Sequence, residues 1–181
     1  MSRSRAALEA TAHHEAGHAV AAMHYGRRFR HVTIKQDADF LGHVLYEKAM
    51  RLNYDEALSP KRERALLDTA TIALAGPAAA GAHRGTRSGF DFRGGTADRE
   101  HATDAVLAIS GSTDELKHWI AIARLRARGI VETQRELVSL VAAALLDRET
   151  LTWEEVSGLP LARVSTVRDD SQSQRALDRL G

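Results

Sequence analysis

The chain has 181 residues, enough for one compact domain with a substantial core, so it needs no disulfide or metal staple merely to fold. It has no cysteine, which rules out disulfides, thiol nucleophiles and thiolate metal sites and fits a reducing cytoplasm, where the protein is expected. Twenty-five basic and twenty-four acidic residues leave a net charge of +1, with no electrostatic footprint for nucleic acid or anionic lipid.

From Arg5 to about Gly26, alanines with Leu8, Val20 and Met23 predict an alanine-rich helix, closed by Gly26, Arg27 and Arg28. "FRHVTIKQ" and "LGHVLYE", separated by "DADF", read as two strands of a small sheet. Ser59 followed by Pro60 starts a second helix through "KRERALLDTATIALAG", which Pro77 is expected to kink or end. Residues 85 to 96 hold four glycines and read as a mobile loop; Thr96 then caps the helix "ADREHATDAVLAIS". Residues 112 to 149 form one broken or two consecutive amphipathic helices, with Ile120, Leu125, Leu137, Leu140, Val141, Leu145 and Leu146 as core candidates. These elements define a mainly α protein with a small β-sheet, an α+β class. A domain over residues 1 to 162 and a polar, frayed tail from 163 are expected, with no signal peptide and no run near the roughly 18 apolar residues of a membrane span.

The first helix carries four of the nine histidines, and in "HHEAGH" the pattern His-Glu-x-x-His falls on His14, Glu15 and His18. Helical positions four apart differ by about 40° in rotation and about 6 Å along the axis, so both imidazoles can reach one metal ion, and the geometry suits zinc. Glu15, beside the first histidine, would then face the ion's open position, where a carboxylate can take a proton from water and pass it to a leaving amine. The same five-residue pattern arises by chance in roughly a few per cent of shuffled sequences, so the motif alone leaves a chance cluster on a surface helix open. Gly17 adds to the functional side: glycine inside a helix costs about 1 kcal/mol relative to alanine, a cost that points to close approach by another element.

A catalytic zinc usually has a third protein ligand. His24 stands ten residues after His14, as the third histidine does in the metzincin peptidases, but their chain-reversing glycine is Ala21 here. On a continuous helix His24 would lie about 9 Å beyond His18 and point elsewhere. A later carboxylate is the other option. No acidic residue lies between Asp68 and Asp91, and Asp98, in the first turn of its helix, is the best placed. By itself Asp98 reads more simply as a first-turn acid favoured by the helix dipole.

In order, "HHEAGHAV", "HVTIKQ", "LGHVLYE", "IALAGPAAAG", "GGTADREHATDA" and "ETLTWEEV" resemble the peptidase domain of the FtsH-type zinc metalloproteases, over residues 11 to about 157. The most specific parts are the His-Glu-Ala-Gly-His core and the Asp-x-x-x-Ala-Thr run. The resemblance implies one zinc per chain held by His14, His18 and Asp98, with Glu15 as general base. It also implies polypeptide substrates lying along an exposed sheet edge and a homo-oligomer, commonly a hexameric ring; family members carry an AAA ATPase domain before the peptidase domain, and whether an ATPase acts in trans on this chain is left open by the sequence. The chain departs from the family pattern at Pro77, where an arginine is usual, and at Ala80 and Gly81, where acidic residues are usual. A carboxylate that would orient a zinc-bound histidine is thereby missing, which is expected to weaken the site. The family's ATPase has no counterpart here, because these residues contain no Walker-type loop. Two readings follow: a zinc metalloendopeptidase, or a catalytically silent relative serving as a binding or regulatory module.

Overall fold

The computed structural model describes residues 4–36, 42–47, 58–93 and 96–159. The expected tail from residue 163 lies outside them. Among the described residues six helices and three short strands follow one another: α1 Arg5–His24, β1 Phe29–Thr33, β2 His43–Tyr46, α2 Pro60–Arg84, α3 Ala97–Leu107, α4 Thr113–Thr133, α5 Arg135–Arg148, β3 Thr150–Thr152 and α6 Trp153–Ser157. The protein is mainly helical, and among the described residues it has one antiparallel sheet, ordered β2-β1-β3, with β2 at an edge.

Helices α1 and α2 form the centre. Ser4 accepts the Ala7 N–H at the start of α1, and Ser59 accepts that of Arg62 before Pro60 at the start of α2. The seam between them is narrow, and both helices are rich in fully buried small side chains, Ala12, Ala16 and Ala19 of α1 and Ala70 and Ala75 of α2 among them. Gly17 lies in that seam, where a Cβ would strike the Ala75 carbonyl and come within 2.7 Å of the Ala79 Cβ. The cost of a mid-helix glycine is thus offset by close helix packing, which alanines on both sides allow.

Pro77 does not end α2, which continues unbroken to Arg84 and closes on Gly85 in the left-handed region at φ 63°. A proline inside a helix typically costs about 3 kcal/mol because it removes one hydrogen bond and crowds the preceding turn. Here the flanking residues Leu74, Ala75, Ala78 and Ala79 are all buried, and that packing holds the helix through the defect. By length and composition α2 could cross a membrane, but 83% of its most apolar stretch is already covered inside the fold.

The segment expected to be mobile is anchored over its described part, residues 85–93. The Asp91 N–H donates to the Pro77 carbonyl at 2.8 Å, and the Thr86 and Ser88 hydroxyls donate to the Phe90 carbonyl at 3.2 and 2.9 Å. Buried Asp91 pairs with Arg84 at 2.6 Å. Phe90 is buried in the core and Phe92 stacks parallel to it at 6.0 Å, so these aromatics pack on their own domain. Thr96 occupies the cap position of α3 without capping it: its backbone is helical and its hydroxyl donates to the Glu100 carboxylate at 2.6 Å.

Two of the expected core leucines face outward. Leu125 is 60% exposed and Leu140 36%, while Ala123, Ala127, Ile130 and Val131 supply the inner face of α4. Leu125 lies about 200° around the helix from Ala123, which turns it to solvent. Leu137, Val141 and Leu145 are buried as expected. Strand β3, absent from the sequence reading, pairs Leu151 with Val32 and Thr150 with Thr33, and the two threonine hydroxyls bond at 2.8 Å.

Candidate metal centre

Helix α1 brings His14 and His18 onto one face, and the first turn of α3 brings Asp98 to them. The two Nε2 atoms are 3.1 Å apart; Asp98 Oδ2 stands 2.9 Å from His14 Nε2, and its Oδ1 stands 3.3 Å from His18 Nε2. Among the described residues this is the group of histidines and carboxylates whose donor atoms converge within 4.8 Å. Zinc bonds of about 2.0–2.1 Å in a tetrahedron require donor atoms roughly 3.3 Å apart; the two histidine nitrogens stand near that spacing, and Asp98 reaches each of them with a different carboxylate oxygen.

The chemistry of the donors also fits a cation. His18 Nδ1 lies 2.9 Å from the Ile72 carbonyl, which can only accept, so the ring's N–H is on Nδ1 and the Nε2 lone pair is turned into the cluster. Two imidazole nitrogens and a carboxylate facing one another at these distances need protons or a metal ion between them. Burial alone would lower the His18 pKa, but Asp98, with Glu15 and the Ile72 carbonyl, carries it up to about 9. For Asp98, burial pulls upward and is outweighed by His18 and His14, which hold its carboxyl well below the usual carboxylate range. Glu15 is buried next to this group; burial pushes its pKa up, against the opposing pull of His14 and His18. A carboxylate with a raised pKa is better matched to accepting a proton near neutral pH.

Two glycines shape the site. A Cβ on Gly76 of α2 would clash with the His18 ring, against Nε2 and 2.6 Å from Cε1 and 2.7 Å from Cδ2, so the imidazole occupies the space that glycine leaves. A Cβ on Gly42, just before β2, would lie 3.0 Å from Glu15 Oε1 and 2.8 Å from the Thr33 carbonyl, so this backbone passes directly over the Glu15 carboxylate. The argument applied to Gly17 would have found Gly76 as well, since it too is a glycine inside a helix. Gly42 carried no such signal.

His24 is elsewhere: its Nδ1 is 3.1 Å from the Gln134 amide and its ring packs edge-on against Tyr25. His13 also points away from the cluster, with Nδ1 2.9 Å from the Glu9 carbonyl and its ring stacked on His83 at 3.8 Å. The carboxylate expected to be missing behind a histidine has a substitute in the Ile72 carbonyl on His18.

A His-Glu-x-x-His helix completed by a carboxylate from a later helix is a donor set characteristic of metallopeptidases. The comparison with known proteins agrees at that level. The chain is 31% identical over 194 aligned positions, covering 90% of its length, to the ATP-dependent zinc metalloprotease FtsH 1 of Symbiobacterium thermophilum. It spans about a third, 32%, of that relative's length. No family model matches the chain. The similarity is that of a distant relative of the FtsH-type metalloproteases.

Proposed function

We propose that the chain is a zinc-dependent metalloendopeptidase of the cytoplasm that hydrolyses peptide bonds in unfolded or loosely folded proteins. The observation that carries this reading is the convergence of His14, His18 and Asp98 donor atoms within 4.8 Å beside buried Glu15. These three residues would hold the metal, and the fit of their spacing and lone pairs supports zinc. A zinc ion there would polarise the scissile carbonyl and acidify water. Glu15 would accept a proton from such a water on its carboxylate and return it to the departing amine nitrogen, as its place beside the ligands and its raised pKa allow. The Ile72 carbonyl fixes the His18 tautomer, and Gly76 leaves the ring its place.

Substrate is read as an extended segment pairing with edge strand β2, because Gly42 at the start of that strand lies against Glu15 and a paired peptide would run past the same carboxylate. An AAA ATPase in trans and a ring of identical chains belong to the same reading, on the strength of the relative's name and the sequence resemblance. The test is digestion of a permanently unfolded protein by the purified chain. Cleavage should stop with a chelator and return with zinc; cleavage that persists in chelator would exclude the assignment.

A further inference from the structure

A second concavity, of about 370 Å³, opens where α1, α2, α4, α5 and the 85–89 turn meet, and none of His14, Glu15, His18 or Asp98 lines it. Its floor is apolar: Ala78, Ala79, Val131 and Val138 are each no more than 5% exposed. One side is closed because Gly81 has no side chain. A Cβ there would lie 2.6 Å from the Phe90 nitrogen, so the turn folds back tightly over α2. The exposed rim holds two guanidiniums, Arg128 and Arg135, and one carboxylate, Glu132, which is not ion-paired with either, so the rim carries a net positive charge. His13 and His83, whose rings stack on each other at 3.8 Å, also line it.

We propose that this cavity binds a carboxylate carried on a compact apolar body, with the carboxylate held by Arg128 and Arg135 and the body on the alanine and valine floor. The volume falls within the range of roughly 300–1,000 Å³ usual for small-molecule sites. Planar guanidiniums suit a carboxylate because two parallel N–H groups meet its two oxygens. Such a group occurs at the C-terminus of a peptide ending in an aliphatic residue and on a short fatty acid, and the apolar floor accepts either. The proposal does not depend on peptidase activity.

Calorimetric titration of the full chain with N-acetyl-leucine, octanoate and the neutral N-acetyl-leucinamide tests it. At least one carboxylate should saturate one site per chain, with the amide at least tenfold weaker. Preference for N-acetyl-leucine identifies peptide ends, and preference for octanoate identifies fatty acids; both support the site. The double variant Arg128→Gln, Arg135→Gln should weaken binding at least tenfold. Ser139→Phe, which fills the mouth from the exposed face of α5, should abolish it, with fold confirmed by thermal unfolding. Asp98→Ala should leave it unchanged. Binding of acid and amide alike, binding of neither carboxylate, or binding lost in Asp98→Ala but kept in the arginine variant would overturn the proposal.

Discussion

Gly76→Ala isolates the contribution of a single missing methyl group to the metal centre. The new Cβ would stand 2.6 Å from His18 Cε1 and 2.7 Å from Cδ2, whereas carbon atoms pack at about 3.5–4.0 Å. Because α2 is pinned against α1 on both sides of this position, the ring must retreat by roughly an ångström. Zinc–nitrogen bonds tolerate deviations of only about 0.2 Å, so the displaced Nε2 can no longer complete the donor set. Loss of an orienting partner commonly lowers metal affinity about 10–100-fold, and displacement of the ligand itself should do at least as much. Stability should change far less: overpacking costs about 1–3 kcal/mol, while replacing a helical glycine by alanine returns about 1 kcal/mol. The assay is competition for zinc against a chromophoric chelator, beside thermal unfolding of the metal-free protein. Parental zinc affinity in folded Gly76→Ala would refute the placement of His18 in the site.

Glu15→Gln should keep zinc and fold yet lose hydrolysis of an unfolded substrate by at least 100-fold, since the amide keeps the shape and removes the basic oxygen; turnover at the parental rate would displace Glu15 as general base. His24→Ala should bind zinc with parental affinity, because that ring contacts Gln134 and Tyr25 rather than the cluster; a large drop in affinity would return His24 to the site. His18, with a pKa of about 9 in the metal-free fold against an ordinary 6.5, must give up a proton when metal binds. Zinc affinity should therefore rise by up to about tenfold per pH unit between pH 7 and 9 and then level off, and proton release measured in two buffers of different ionisation enthalpy checks this. The same raised pKa stabilises the metal-free fold fully below about pH 6.5, and this stabilisation is lost as pH rises through 9, so the metal-free melting temperature should fall over that window. A flat profile would contradict the His18–Asp98 pairing. Of two substrates differing only by a destabilising core mutation, the chain should cleave the destabilised one without ATP and spare the stable one, because opening a folded domain costs several kcal/mol; equal cleavage would contradict the requirement for unfolded chain.

The histidine helix was legible because its alanine content and the four-residue spacing of His14 and His18 are local properties, and α2 announced its start through Ser59 and Pro60. The two strands of "FRHVTIKQ" and "LGHVLYE" were legible from their β-branched runs. Strand β3 was not: three residues give no alternation, and Thr150–Thr152 are extended only because β1 lies alongside. Pro77 does not end α2, because burial of its neighbours permits what local propensity disfavours. The glycine-rich stretch misled, since the buried Asp91 and Phe90 that anchor it act through contacts with α2 rather than with sequence neighbours. Asp98 was reached by elimination and by resemblance; its position 84 residues after His14 is set by the packing of α3 on α2, which no local pattern encodes.

Zinc content and hydrolysis of an unfolded protein, measured on the same preparations of the parent chain, His14→Ala, His18→Ala and Asp98→Ala, test the central claim most directly. About one zinc per parent chain is predicted, with zinc and hydrolysis lost together in each variant while the fold is retained. Full zinc occupancy in Asp98→Ala, or hydrolysis by a variant that holds no zinc, would contradict it.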